Sequence, residues 1–253
     1  MRVAIVIPAR FASSRLPGKP LLRATGKYLI QHVYERACGA KCAADVIVAT
    51  DDERIRDAVE EFGGRVAMTR ADHPSGTDRV AEVAAGLDAD VIVNLQGDEP
   101  LLEAKSLDLL AGLLDRDPGS DMATLAVPIS DKASYLSPNV VKVVCDERGR
   151  ALYFSRSPIP MVRDGEPDFT LRPARFLQHL GLYAYRREFL LKLAAMPPHP
   201  LEEIEKLEQL RVLGTGATIQ VGLAASAHRG VDTPADYDAF VRHYCEATKR
   251  RVA

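Results

Sequence analysis

Several features that mark specialised protein classes are scarce or missing in this sequence. Its 253 residues include no tryptophan, 6% aromatic residues and only four cysteines. No apolar run approaches the ~20 residues that a membrane span needs, and the first run, Val3–Ile7, stops at Pro8. We therefore expect neither a membrane segment nor an export signal. The cysteines fit neither a disulfide scaffold nor paired metal-binding spacings; they are Cys38, Cys42, Cys145 and Cys245.

An excess of positive charge is also missing. The chain has 33 Lys and Arg against 35 Asp and Glu, for a net charge of −2. Nucleic-acid-binding domains usually carry a basic surface, and single-strand binders add aromatic residues to it. We expect no nucleic acid partner. Reduced cysteines and the lack of an export signal predict a cytoplasmic location.

Short apolar runs alternate with helical patterns through the first half of the chain. A helix is predicted near Leu29–Ala37, and another from an Asp51 or Asp52 cap to about Phe62. This alternation is typical of βαβ units with a mainly parallel sheet, whose ligands bind beyond the carboxyl ends of the strands. The predicted strands are Val3–Ile7, Asp45–Ala49, Arg65–Met68, Val91–Leu95 and Met122–Val127.

The pattern changes after about residue 138. A hairpin is predicted from Val140–Cys145 and Ala151–Phe154, followed by a loop over 163–175. Helices are predicted at Arg187–Ala195 and Leu201–Leu213, a strand at Thr218–Gly222, and a last helix capped by Thr233. We expect a single compact domain over 1–253, with a smaller inserted lobe near 130–215.

The segment after the first strand has the composition of a phosphate-binding loop. It reads Pro8-Ala9-Arg10-Phe11-Ala12-Ser13-Ser14-Arg15-Leu16-Pro17-Gly18-Lys19-Pro20. It supplies three cations, two hydroxyls and a glycine, the groups that hold a triphosphate. It is not a Walker loop, because Pro20 follows Gly18-Lys19, and no Gly-x-Gly-x-x-Gly occurs. A solvated surface loop with scattered cations is the alternative.

An aspartate lies at the end of another predicted strand. Asp98 follows Val91–Leu95 within Gln96-Gly97-Asp98-Glu99-Pro100, on the same predicted rim as the phosphate-binding segment. A carboxylate there is well placed to hold Mg²⁺ against a triphosphate, since Mg²⁺ takes one or two carboxylates plus phosphate oxygens. Asp232, just before the last helix, is the natural partner. An ordinary turn or cap aspartate is the alternative at both positions.

The chain resembles the family of sugar-activating cytidylyltransferases, especially its members acting on 3-deoxy-D-manno-octulosonate (Kdo). The match begins at Pro8-Ala9-Arg10-(x)4-Arg15-Leu16-Pro17-Gly18-Lys19-Pro20, and further motifs run in family order over nearly the whole chain. The family more often has Gln where Pro74 stands and Glu where Asp78 stands, so local contacts at these two positions would differ. The further motifs are Thr69–Arg79, Asn94–Pro100, Ala151–Arg156, His179–Tyr183, Leu207–Arg211 and Gly230–Pro234.

The resemblance implies a role for each candidate residue. Arg10, Lys19, Asp98 and Asp232 would be catalytic, with the two aspartates holding Mg²⁺. The nucleotide-binding residues would be Ala9, Arg10, Ser13, Arg15, Lys19, Arg70, Ser75, Gly76 and Gln96. The sugar-binding residues would be Arg156, His179, Tyr183, Glu208 and Gln209. Without the resemblance, a buried histidine, a core tyrosine and solvent-facing helix residues would be the simpler interpretations.

The resemblance also implies the reaction and the assembly. CMP would pass from CTP to the anomeric hydroxyl of Kdo, with Mg²⁺ as cofactor, for lipopolysaccharide biosynthesis. The implied fold is a three-layer Rossmann-like α/β domain of the nucleotide-diphospho-sugar transferase type, and the implied assembly is a homodimer joined through the lobe. The alternatives are a cytidylyltransferase for a related acidic sugar, such as sialic acid or amino-Kdo, and a catalytically idle nucleotide-binding protein.

Overall fold

A computed structural model describes residues 1–12, 15–227 and 230–252, and it divides the chain into two compact units. The first unit comprises Met1–Asp108 and His228–Ala253, and the second comprises Leu109–Ala227. The predicted lobe near 130–215 falls inside the second unit, and its role in sugar binding and dimerisation stays a prediction. Across the described part of the chain, no helix combines the length and apolar character needed to cross a membrane.

The first unit is built on four parallel strands in the order β3-β2-β1-β4. The seven residues of β1 and all four of β4 are buried, as expected for strands covered on both faces. Its elements are β1 (Val3–Ala9), α1 (Leu29–Cys38), β2 (Ala43–Thr50), α2 (Glu53–Glu61), β3 (Val66–Met68), α3 (Gly76–Ala85), β4 (Val91–Asn94) and α9 (Pro234–Val252), with a 3-10 turn at Lys19–Leu21.

The second unit has a mixed arrangement of strands. Strand β5 pairs antiparallel with β8 and parallel with β9, and β6 pairs antiparallel with β7 and β8. Its elements are β5 (Met122–Pro128), α5 (Lys132–Leu136), β6 (Lys142–Cys145), β7 (Ala151–Ser155), β8 (Leu177–Arg186), α6 (Arg187–Ala194), α7 (Pro200–Glu205), α8 (Gln209–Gly214) and β9 (Ile219–Leu223). Helix α4 (Ala104–Arg116) begins in the first unit and ends in the second.

The predicted α/β fold with a mostly parallel sheet is confirmed, with differences in detail. The prediction of one helix over Leu201–Leu213 was wrong, because the chain forms α7 and α8. Lys206 separates them in a left-handed conformation (φ 54°), which a continuous helix cannot contain. Strand β8 was not predicted as a strand, since an irregularity in its pairing interrupts the alternation of its side chains.

The helix caps follow the sequence closely. The side chain of Asp52 caps α2, and Ser75 with Asp78 forms a reciprocal capping box at α3. Thr233 and Asp236 make the same pair of bonds at the start of α9. These caps fix where the chain enters three helices of the first unit.

Candidate active site

A cleft of about 380 Å³ lies at the carboxyl ends of β1 and β4 in the first unit. The two strands are parallel neighbours, with Val6 paired to Asn94, so the segments that follow them emerge on the same edge of the sheet. We call this the phosphate cleft. It is lined by Pro8, Ala9, Arg10, Ala12, Arg15, Lys19, Pro20, Gly76, Gln96, Gly97, Asp98 and Asp232.

Gly97 allows these two segments to approach each other. A Cβ atom at this position would lie 2.9 Å from the carbonyl oxygen of Pro8 and 3.2 Å from the side chain of Ile30. The first contact is with backbone, which cannot move aside without shifting the end of β1. Gly97 therefore brings the segment carrying Asp98 against the phosphate-binding segment.

Four side chains from distant parts of the sequence form an ion-pair cluster in the cleft. The ammonium of Lys19 lies 2.6 Å from Asp98 Oδ2 and 3.4 Å from Asp232 Oδ1, and Arg15 lies 3.0 Å from the same Asp232 oxygen. The amide of Val231 donates to the Asp98 carbonyl oxygen (2.8 Å), which places Asp232 beside it. Lys19 is 13% exposed, so its charge is partly shielded from water.

Gly18 sets the position of Lys19 in this cluster. Its φ of 66° is in the left-handed region, directly before the 3-10 turn that begins at Lys19. The Gly18 amide donates to the Phe11 carbonyl oxygen (3.2 Å), which closes the phosphate-binding segment into a loop.

The donor set of the cluster fits Mg²⁺ bound together with a triphosphate. Two carboxylates already converge on one cation, the Lys19 ammonium, so they are close enough to share another. Within the described residues, no three His, Cys, Asp or Glu side chains form a metal-binding group. Two carboxylates completed by phosphate oxygens and water are what Mg²⁺ typically uses, whereas a purely protein-bound metal would need more ligands.

The carboxyl group of Glu99, next to Asp98, is partly protonated near neutral pH. Burial, with a contribution from the Asp98 charge, raises the pKa of Glu99 to about 7. Near neutral pH this group therefore adds less than a full negative charge beside the cluster.

The remaining predicted nucleotide residues are placed unequally. Arg10 donates to the His73 carbonyl oxygen (2.9 Å), which ties the loop to the segment after β3. Arg70 and Ser75 do not line the phosphate cleft as described: Arg70 is exposed and paired with Asp72, and the Ser75 hydroxyl is bonded to Asp78. Ser13 lies outside the described residues, so its predicted role stays a prediction.

A contact that sequence reasoning missed supports the phosphate-binding loop. The Arg54 guanidinium lies 3.3 Å from the centroid of the Phe11 ring and is held by two bonds to Asp52. The edge of the Phe11 ring lies 3.3 Å from where a Cβ of Gly18 would be. The ring therefore packs between helix α2 and the glycine that precedes Lys19. The only signal in the sequence was an aromatic residue inside a polar loop.

Four of the five predicted sugar-binding residues lie on β8 and around the start of α8 in the second unit. The pairing of β8 with β5 shifts between Thr124, opposite Tyr183, and Leu125, opposite Leu180, so that Gly181 and Leu182 form a bulge. His179 and Tyr183 would be about 13 Å apart along a regular strand. The bulge brings their ring centroids to 5.5 Å.

His179 and Gln209 are buried polar groups with unused hydrogen-bonding capacity. His179 is 8% exposed, and burial lowers its pKa to about 3, so the ring is neutral near pH 7. Gln209 is 3% exposed, accepts from the Tyr183 hydroxyl (3.3 Å), and leaves its Nε2 group without a partner in the described structure. A buried donor without a partner is costly, and a ligand hydroxyl would satisfy it.

Arg156 and Glu208 are placed differently. The Arg156 side chain donates to three backbone carbonyl groups, those of Glu205 (2.8 Å), Pro138 (3.1 Å) and Lys206 (3.4 Å). This positions the loop between α7 and α8 and uses three of its five N–H donors. Glu208 is exposed at the start of α8. The structure therefore groups His179, Tyr183 and Gln209 most closely.

The fold and the phosphate cleft define an α/β protein with cations and two carboxylates gathered at the ends of parallel strands, the groups that a metal-bound nucleoside triphosphate needs. Residues 4–219 match the model of the Cytidylyltransferase family. The chain is 53% identical over 239 residues to the 3-deoxy-manno-octulosonate cytidylyltransferase of Syntrophotalea carbinolica, covering 93% of this chain and 96% of the relative. It is 54% identical to the protein of the same name from Syntrophobacter fumaroxidans, covering 95% and 96%. The chain belongs to the cytidylyltransferase family and, within it, to the 3-deoxy-manno-octulosonate cytidylyltransferases.

The solved structures agree with this assignment. A CMP:2-keto-3-deoxy-manno-octonic acid synthetase complexed with CTP has a TM-score of 0.92 and 46% identity, covering 98% of this chain and all of that one. A cytidylyltransferase from Leptospira borgpetersenii, at 20% identity and a TM-score of 0.63 over 99% of this chain and 95% of that one, shares the fold.

Proposed function

We propose that this protein transfers CMP from CTP to the anomeric C2 hydroxyl of Kdo, giving CMP-Kdo and pyrophosphate for lipopolysaccharide biosynthesis. The observation that carries the proposal is the Lys19–Asp98–Asp232 cluster at the ends of β1 and β4. It joins residues 213 positions apart in the sequence into a group suited to a metal-bound triphosphate. The names of the relatives support CTP and Kdo as the substrates.

The reaction is a direct displacement at phosphorus. The C2 oxygen of Kdo forms a bond to the α-phosphorus of CTP, the bond to the bridging oxygen of the β-phosphate breaks, and the hydroxyl proton is released. Such transfers depend on positioning and charge stabilisation more than on covalent chemistry by the protein. The side chains of Arg10, Arg15 and Lys19 bind and orient the triphosphate.

Asp98 and Asp232 would hold Mg²⁺, which when bound neutralises triphosphate charge and polarises the phosphate. In the protein alone, Lys19 balances these two carboxylates. When the nucleotide binds, the Lys19 ammonium is attracted to the phosphate oxygens, and the carboxylates of Asp98 and Asp232 become available to the metal.

In the second unit, His179, Tyr183 and Gln209 would bind the hydroxyl groups of the sugar acid, and Arg156 and Glu208 would complete the set. Neutral, buried hydrogen-bonding groups discriminate well between sugars, because a wrong hydroxyl pattern leaves them unpaired. A homodimer, a cytoplasmic location and the absence of membrane and nucleic acid partners remain part of this proposal.

The decisive experiment measures pyrophosphate release from purified protein with CTP, Mg²⁺ and Kdo. UTP in place of CTP, sialic acid in place of Kdo, and a reaction with the divalent ion chelated are the controls. We expect rapid release only in the complete reaction. Equal rates with sialic acid would show a broader acidic-sugar enzyme, and no release with any sugar acid would show an idle nucleotide-binding protein.

A further inference from the structure

Thr124, on β5, lies against His179 and the β8 bulge. It is fully buried, and its Oγ1 lies 3.0 Å from His179 Nε2, 2.9 Å from the Leu182 carbonyl oxygen and 3.1 Å from that of Leu180. Both carbonyl groups belong to residues at the bulge, where the regular ladder between β5 and β8 is interrupted. The hydroxyl therefore contacts the imidazole of His179 and two backbone carbonyl groups at the bulge.

The direction of each bond follows from the chemistry of the groups. Carbonyl oxygens only accept, and a hydroxyl has one proton. If that proton pointed to His179, the Thr124 oxygen would face two carbonyl oxygens with no proton between them, so it points to Leu180 or Leu182. The hydroxyl oxygen is then an acceptor toward His179, and the imidazole must donate from Nε2. Burial keeps the ring neutral near pH 7, with a pKa of about 3, so Nε2–H leaves Nδ1 without a proton.

We infer that Thr124 is a positioning residue that fixes His179 in the Nε2–H tautomer, so that Nδ1 accepts a hydrogen bond from a hydroxyl group of the sugar acid. Among the described residues, Nδ1 has no hydrogen-bond partner. The edge-to-face packing of Phe154 on the imidazole, with centroids 5.0 Å apart, restrains its orientation. The identity of the ligand rests on the proposed function, whereas the tautomer does not.

The tautomer can be observed directly by long-range ¹H–¹⁵N correlation spectra of protein labelled at its six histidines. The His179 signals are assigned by their loss in His179→Gln. We expect the Nε2–H form in the wild type and in Thr124→Ser, which keeps the hydroxyl. In Thr124→Val, which keeps the shape but removes the acceptor, we expect a mixture of tautomers. A wild-type Nδ1–H form, or an unchanged spectrum in Thr124→Val, would overturn the inference.

Steady-state kinetics provides the second readout. We expect Thr124→Val to raise the KM for Kdo about tenfold, as for loss of one well-made hydrogen bond, with the KM for CTP within about twofold of wild type. Thr124→Ser, which keeps the hydroxyl, should have a KM for Kdo close to that of the wild type. Thr50→Val is the matched control. Thr50 is equally buried, but its hydroxyl oxygen accepts a hydrogen bond from the Asp52 amide in the first unit. Thr50→Val should leave both the His179 spectrum and the KM for Kdo unchanged.

The two readouts separate the possible failures. If the wild type shows the Nε2–H form but no activity with Kdo, the proposed function fails and the tautomer assignment stands. If Thr124→Val lowers the unfolding temperature but moves neither the tautomer nor the KM for Kdo, Thr124 is only structural and the inference fails. If Thr124→Val does not fold, the wild-type and Thr124→Ser spectra still decide the assignment.

Discussion

In the first unit, Lys19 forms ion pairs with Asp98 and Asp232 in an open cleft, whereas in the second unit His179 and Gln209 are almost fully buried and uncharged. Asp98 and Asp232 remain 29% and 45% exposed, while His179 and Gln209 are 8% and 3% exposed. Exposed charges act at a distance and are screened by salt, and buried neutral groups act only at contact. The proposed function therefore divides the work between the two regions: charge captures the triphosphate, and contact geometry selects the sugar.

The largest effect should come from removing the carboxylate of Asp98. We expect Asp98→Asn to lower kcat with Mg²⁺ by about 10³-fold, since the loss of a metal ligand removes several kcal/mol of charge stabilisation. The KM for Kdo should change little. Steady-state pyrophosphate release measures both. Asp88→Asn, at a position whose side chain is 98% exposed, is the matched control. Near-native turnover of Asp98→Asn would show that this carboxylate holds no essential metal.

Removing the ammonium of Lys19 should affect the binding of CTP and not the binding of Kdo. We expect Lys19→Met to raise the KM for CTP about 10- to 100-fold, as for loss of a charge-assisted bond, and to leave the KM for Kdo unchanged. It should also lower the unfolding temperature, because Asp98 loses its counter-ion and Asp232 keeps only its pair with the exposed Arg15. Lys27→Met is the control, as Lys27 forms a surface ion pair with Glu35. Equal changes in the KM for CTP and the KM for Kdo would contradict the proposal that the first region binds the triphosphate and the second binds the sugar.

Acid should reveal a property that the two regions share, since each contains a buried histidine. Burial lowers the pKa of His32 to about 4 and that of His179 to about 3. The unfolded chain binds a proton near pH 6.5 and the folded chain does not, so stability present above pH 6.5 is lost as the pH falls. Between pH 7.5 and 5.5 we expect the free energy of unfolding to drop by about 1.4 kcal/mol per histidine.

Urea unfolding at pH 7.5, 6.5 and 5.5 measures this loss. His179→Gln and His32→Gln should each remove about half of the histidine-dependent part of it. His243→Gln, at an exposed position of α9, should leave the loss unchanged. If neither His179→Gln nor His32→Gln reduces the pH dependence of the free energy of unfolding, the folded protein does not lower the pKa values of these histidines as the structure indicates.

The smallest effect tests whether the second region sacrifices stability for recognition. We expect Gln209→Leu to raise the KM for Kdo about tenfold while keeping or slightly increasing the unfolding temperature, because it removes a buried donor that has no partner and loses only one long bond, from the Tyr183 hydroxyl (3.3 Å). Gln220→Leu, the same change at a position where the side-chain amide bonds the Arg148 carbonyl oxygen, should leave the KM for Kdo unchanged. A marked fall in the stability of Gln209→Leu would show that the amide serves the fold.

Much of the first region could be predicted from the sequence, because strands buried on both faces have continuous apolar runs and a parallel sheet brings their carboxyl ends together. The positions of Lys19 and Asp98 on one rim follow from that rule, and the Ser75 and Thr233 caps follow from local hydrogen-bonding chemistry. Phe11 and Arg54 could not be predicted, since their contact depends on how the loop folds back toward α2.

The second region was harder for a physical reason. A bulge breaks the alternation that identifies a strand, so β8 had no periodic signal. The break between α7 and α8 depends on one residue in a left-handed conformation, Lys206, which is not a type that favours it. Thr124 was a single polar residue within a buried apolar run, and nothing in its spacing linked it to His179.

The close approach of Gly97 to Pro8 has a consequence for how this sequence can change over time. Any side chain here would collide with backbone at the end of β1, so no compensating change in a neighbouring side chain can accommodate it. Single substitutions of the cations in the phosphate-binding loop would each lower activity by a limited factor. At position 97, by contrast, no residue other than glycine gives a partly functional variant. We expect saturation mutagenesis to recover only glycine there, even among variants selected for folding alone.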